Sequence, residues 1–316
     1  MAKKEETLSL IDTFAEFKEL KNIDKTTMIS VLEESFRSVI AKMFGTDENY
    51  DVIVNPNQGD FEIWRNREVV ADEDVTNENM EISLSDARKI DESYEIGEEV
   101  TDEVFFADFG RRAILNLRQT LASKILELEK DSLYNKYIDR VGTIVTAEVY
   151  QIWKKEMLLL DDEGNELILP KTEQIPRDFY RKGETVRAVV ARVDNKNNNP
   201  KIILSRTSPV FLERLFELEV PEIVDGLITI KRVARIPGER AKIAVESYDE
   251  RIDPVGACVG VKGSRIHGIV RELQNENIDV INYTSNIQLF IQRALSPAKI
   301  SSIRLNEEER KAEIFL

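Results

Sequence analysis

Apolar residues near the start of the chain recur at intervals of three and four: Met28, Val31, Leu32, Phe36, Val39, Ile40 and Met43. That spacing puts them on one face of a helix, with Asp24 as its cap and an end near Gly45. The pattern then shortens. Asp51–Val54 and Phe61–Trp64 read as strands around the turn Asn55-Pro56-Asn57-Gln58-Gly59, and Arg67–Val70 completes a meander. Alternation at Met80, Ile82 and Leu84 predicts a strand edge inside an otherwise polar stretch. Ile114, Leu117, Leu121, Ile125 and Leu128 then mark a long amphipathic helix that runs into Asp131. Helices bracketing a small sheet make 1–131 an α/β first domain.

The next stretch has the short period of strands. Gly142–Val149, Glu156–Leu160, Leu167–Leu169, Thr185–Arg192 and Lys201–Leu204 alternate between turn-rich segments, and five short strands predict a small closed barrel of the OB class over 132–207. Such barrels hold single strands by pairing a basic groove with aromatic platforms. Lys154, Lys155 and Arg187 are candidate groove cations, and Tyr150, Trp153, Phe179 and Tyr180 are candidate platforms or simply core.

After Ser205 helical spacing returns. Ser208-Pro209 starts a helix carrying Phe211, Leu215 and Leu218 and closed by Pro221. Leu227–Val233 and Ala241–Glu246 alternate around Pro237-Gly238. An apolar helix, the turn Gly260-Val261-Lys262-Gly263, a second helix with Ile266, Ile269, Val270 and Leu273 inward, and the strand Ile278–Tyr283 follow. This α-β-β-α-α-β order over 208–300 matches the prokaryotic KH module, whose Gly-x-x-Gly turn grips single-stranded backbone. Two glycines let a phosphate chain approach closely, and the helix they open offers unpaired N–H groups. Gly260, Val261, Lys262, Gly263, Ser264 and Arg265 are therefore candidate RNA contacts, with Lys242 and Arg251 as further cations nearby. The fold class is multidomain α+β.

Charge sharpens this reading. The net charge of −15 argues against a polyanion ligand, but Met1–Asn135 holds 16 Lys+Arg against 31 Asp+Glu, whereas the remainder holds 28 against 28. Within Leu227–Arg271 the count is 9 basic to 5 acidic, so the Gly-x-x-Gly region is locally positive. The acidic first domain is either a solvated surface or a docking face for a basic protein. One cysteine, Cys258, and one histidine, His267, exclude a disulfide framework and a His/Cys metal cluster. No catalytic motif, cofactor site or metal site is expected. With no membrane-length apolar run and no signal peptide, a cytoplasmic monomer is expected.

The runs Leu204-Ser205-Arg206-Thr207-Ser208-Pro209-Val210-Phe211-Leu212, Leu215-Phe216-Glu217-Leu218-Glu219-Val220-Pro221-Glu222-Ile223, Asp253-Pro254-Val255-Gly256-Ala257-Cys258-Val259-Gly260 and Ala294-Leu295-Ser296-Pro297-Ala298-Lys299 closely resemble the NusA family of bacterial transcription factors. The match is looser in the first domain, at Glu81–Arg88 and Phe109-Gly110-Arg111. The resemblance implies an N-terminal domain that docks on RNA polymerase beside the RNA exit channel, an S1-like barrel, and two KH modules that contact nascent single-stranded RNA. It further implies modulation of pausing, termination and antitermination, with other elongation or antitermination factors as further partners. The chain departs from the family at Val261, where proline is usual. Residues 301–316 resemble only the first strand of a second KH module, so that module is expected to be incomplete. Two alternatives compete: an RNA chaperone or ribosome-assembly adaptor without polymerase contact, and a phosphorolytic nuclease, whose module order would be reversed.

Overall fold

Helix α1, Lys25–Phe44, buries Val31, Leu32, Phe36, Val39 and Ile40 and stops at Gly45, whose positive φ lets its N–H reach the carbonyl of Ala41 at 2.9 Å. Met43, expected on the inward face, is exposed. The computed structural model describes residues 25–55, 60–306 and 308–316. The cap at Asp24 and the turn at 56–59 lie outside the described residues. By contacts the chain forms two compact units, Met1–Glu129 and Lys130–Leu316.

In the first unit, α1 packs on a sheet of β1 (Tyr50–Asn55), β2 (Asp60–Val70), β3 (Glu81–Ser83) and β4 (Glu99–Glu103). The expected meander is not formed. Phe61–Trp64 and Arg67–Val70 belong to one strand, β2, which is antiparallel to β1 and β4 and parallel to β3. The polar interruption at Arg65-Asn66 hid this continuity. Arg65 and Arg67 both bond Asp102 on one face, while Asn66 donates to Asp51 on the other.

The acidic stretch is folded, and its carboxylates help to fold it. Asp72 accepts the hydroxyl and N–H of Ser85, which lowers its pKa, and Glu81 accepts the N–H groups of Thr76 and Asn77 with the same effect. Leu84 is not a strand residue but begins helix α2, Leu84–Ile90, capped by Ser83.

Helix α3, Gly110–Ile138, passes the expected end at Asp131. Ala113, Leu117 and Leu121 fill the first unit's core. Its last turns instead supply Leu133 and Tyr137 to the second unit's barrel. Tyr137 is fully buried and donates to Asp161 at 2.5 Å. Burial and that hydrogen bond push the phenol pKa up.

The barrel is closed. Its strands β5 (Ile144–Ile152), β6 (Glu156–Leu160), β7 (Glu166–Pro170), β8 (Thr185–Lys196) and β9 (Asn199–Ser205) run around it in the order β5-β6-β7-β9-β8. Four pairings are antiparallel and β7 to β9 is parallel. Alternate residues such as Val145, Ala147, Val149, Leu159 and Leu169 point inward around Tyr137.

Ser208 caps α4, Pro209–Glu219, with Pro209 at its first position. Phe211, Leu212, Leu215 and Phe216 are its buried face; Leu218, expected there, is exposed. The short α5, Pro221–Val224, leads to β10 (Ile228–Ile236) and β11 (Arg240–Ser247). Then come α6 (Pro254–Val259), the glycine turn, α7 (Ser264–Glu272) and β12 (Asn277–Asn282), parallel to β11. The α-β-β-α-α-β order is as read from the sequence.

Two ion pairs with no exposed side-chain surface lock this module. Arg206 uses all five guanidinium donors: to both Asp178 oxygens, to Glu272 Oε1 at 2.8 Å, and to the carbonyls of Arg187 and Glu272. Asp178 and Arg206 are both fully buried at this barrel-to-module joint. Arg235 pairs with buried Glu276, which also accepts the N–H of Gly238. Residues 301–316 form a hairpin of β13 (Ser302–Asn306) and β14 (Lys311–Phe315) after helix α8, Ile287–Leu295. Two antiparallel strands stand in 301–316 where a single strand was expected, and α8 precedes them as α4 precedes β10 and β11.

Candidate nucleic-acid interface

The glycine turn is held by its flanking helices. Asp253 caps α6 through the N–H of Val255, and Gly260 ends it at φ 76° and ψ 168°. One tight turn follows, closed by Gly263 N–H to the carbonyl of Gly260 at 3.0 Å. A Cβ on Gly260 would meet the Arg265 side chain at 2.9 Å and its backbone nitrogen at 3.0 Å; one on Gly263 would meet the His267 ring at 2.8 Å. Both positions therefore demand glycine by conformation and by close approach. Lys262 takes a left-handed conformation, φ 54° and ψ 27°, which is strained by about 1 kcal/mol for a residue with a Cβ.

Helix α7 then starts at Ser264 without a side-chain cap from Gly263. Its first N–H groups carry the positive end of the helix dipole next to the exposed Lys262. Val261 is 82% exposed at the tip, so the usual proline could be replaced there without disturbing a packed side chain.

The candidate cations separate into free and paired groups. Lys262, Lys154 and Lys155 are exposed and make no ion pair among the described residues. Arg265 does not project freely: Nη1 donates to both Glu222 oxygens, at 3.1 and 3.0 Å, and to the carbonyl of Ala257 at 2.7 Å. Lys242 is engaged by Asp279 at 2.6 Å and the Ser296 carbonyl, Arg187 by Glu272 at 2.6 Å, and Arg251 by Asp249 at 2.7 Å. The sequence shows the cations in order, but three of these four carboxylates arrive from distant segments.

On the barrel, Tyr150, Trp153 and Phe179 are exposed. Lys154 and Lys155 follow Trp153 in the β5–β6 connection, and Lys182 Nζ lies 5.1 Å from the Tyr150 ring centre. Tyr180 is different. It packs against the barrel core beneath the Arg206 guanidinium, and burial raises its pKa. Cys258 is buried, its thiol pushed up to about 12 by burial, as a structural cysteine should be. No metal-holding cluster occurs among the described residues, and no helix there is long and apolar enough to cross a membrane.

Comparison with known proteins decides the lineage. Residues 9–131 match the family model of the NusA N-terminal domain and 206–283 that of the NusA-like first KH domain. The transcription termination/antitermination protein NusA of Halalkalibacterium halodurans is 36% identical over 306 residues, which is 97% of this chain and 79% of that protein. The chain belongs to the NusA family. The Bacillus subtilis NusA is 35% identical over 307 residues, covering 97% of this chain and 82% of its relative. The solved N-terminal domain of NusA from B. subtilis is 28% identical, covering 39% of this chain and 97% of that one, with a TM-score of 0.28. The chain is thus, by family, a transcription termination/antitermination factor, and its Gly260–Gly263 turn lies inside the residues matched to the first NusA-like KH domain.

Proposed function

We propose that this protein is a non-enzymatic RNA-binding elongation factor: its first domain docks on RNA polymerase near the RNA exit channel, and its barrel and KH module hold emerging single-stranded RNA. Pausing, termination and antitermination are modulated by that tether. The carrying observation is the uncapped start of α7 beside an exposed, unpaired Lys262 and two obligate glycines. It is a cradle for about two phosphates of a strand of about four nucleotides. Lys154, Lys155 and the exposed Tyr150, Trp153 and Phe179 extend the contact onto the barrel.

Division of labour accounts for the charge. An acidic first domain held on polymerase raises the local RNA concentration around the clamp, so modest intrinsic affinity suffices. Lys262→Asp is expected to weaken binding of a short single-stranded RNA about 10-fold or more at moderate salt in a gel shift. Unchanged binding would remove the basis of the clamp assignment.

A further inference from the structure

Arg265 occupies the first turn of α7, two residues beyond Gly263, where a strand gripped by the turn would place phosphate. Its guanidinium is nevertheless turned back onto Glu222 of α5: the two carboxylate oxygens sit 3.1 and 3.0 Å from Nη1. The stem that makes this turn passes directly under Gly260, within 2.9 Å of where a Cβ would lie. The folded-back pose is thus built into the turn.

Glu222 is itself set for this pairing. Its own backbone N–H and the Arg265 guanidinium lower its pKa, so it remains an anion at neutral pH. The Arg265 and Glu222 side chains retain 31% and 28% exposure, so solvent, or a ligand, reaches the pair. Both carboxylate oxygens approach the one nitrogen Nη1, a place that a phosphate oxygen could take in their stead.

We infer that Glu222 is an internal phosphate mimic that withholds Nη1 of Arg265 from RNA, and that bound RNA must displace it to gain the full second cation of the clamp. The inference rests on the RNA-clamp reading above and adds a residue that limits its affinity. Lys262 makes the first contact because it is free; Arg265 joins only by exchanging one anion for another. Because the exchange keeps one anion on Arg265 throughout, its net gain is smaller than that of a free arginine. It also makes the full contact depend on where a phosphate sits, since only one close to the turn can compete with Glu222.

The test is fluorescence anisotropy of the full chain with oligoadenylate and oligouridylate of roughly ten nucleotides, titrated across salt. Glu222→Gln is expected to tighten binding roughly 3–10-fold and to steepen the salt dependence by close to one phosphate contact. Glu219→Gln removes an equal charge from an exposed site on the neighbouring α4 that Arg265 does not touch, and is expected to gain less than 2-fold. The Glu222→Gln gain should vanish on an Arg265→Gln background. Glu222→Asp, which retracts the carboxylate but keeps its charge, should shift affinity in the same direction by less and guards against misfolding of the amide variant. Equal gains from Glu219→Gln and Glu222→Gln, a gain that survives loss of Arg265, or no gain at all while Lys262→Asp still weakens binding, would overturn the mimic and leave the clamp standing. Insensitivity to Lys262→Asp would overturn both.

Discussion

Arg206 shows how one side chain can organise two modules. Its exposure is nil, and each of its five donors meets an oxygen from the loop before β8, from β8 itself, or from the end of α7. Removing it would leave Asp178 buried without its partner. Arg206→Met is therefore expected to destabilise the second unit by about 3–5 kcal/mol, the range for breaking a buried pair, measured as a shift in urea unfolding. A loss below about 1 kcal/mol would mean that the joint is hydrated. Nothing local in Leu204-Ser205-Arg206-Thr207 announces such burial, because both carboxylates lie far off in sequence. The same holds for Arg265: its charge is visible in the sequence, its partner is not.

Among the elements, α3 carries the clearest pH signature. Its Tyr137 plugs the barrel and donates to Asp161. Burial pushes the Asp161 carboxyl up, but hydrogen bonds from Asn165, Tyr137 and the Glu163 N–H outweigh it, so the folded pKa is lowered. This contribution is present above the unfolded carboxyl pKa of about 3.9 and is lost as pH falls through the folded value. Tyr137 has the opposite sign. Its raised phenol pKa contributes fully below about pH 10 and fades as pH climbs toward the folded value. Tyr137→Phe should lower stability at neutral pH and weaken both the alkaline loss and the acid loss, seen in denaturant midpoints across pH. An unchanged profile would show that the bond does not tie helix to barrel.

The elements with the strongest periodicity were the legible ones: α1, the barrel strands and the helices around the glycine turn. Those that escaped were short or bury little. Only Val100 of β4 is buried and α8 buries no residue, so no apolar period marks them, whereas β3 was read from the alternation around Ile82. In α2 the signal was instead a capping pattern, Ser83 with Asp86, masked by the surrounding acid.

At the scale of the whole molecule, the separation of charge predicts a separation of tasks. A chain beginning at Lys130 keeps Leu133 and Tyr137 for its barrel core and loses the acidic unit. It is expected to retain direct RNA binding within about 3-fold yet to lose its effect on pause lifetime in a transcription assay, because the concentrating tether is gone. A full pausing effect from that shortened chain would sink the assignment of polymerase docking to the first domain.

Helix α7 has a mechanical consequence. Its nine residues span about 13 Å, with Arg265 braced on Glu222 near the glycine turn and Glu272 bolted to Arg206 at the far end. Once a seated strand has taken the place of Glu222, the bond from Glu272 to Arg206 is the anchor that remains. Tension on a strand seated at the turn would run along hydrogen-bonded backbone into the barrel wall, and the joint at Arg206, not the exposed loop, would bear the load.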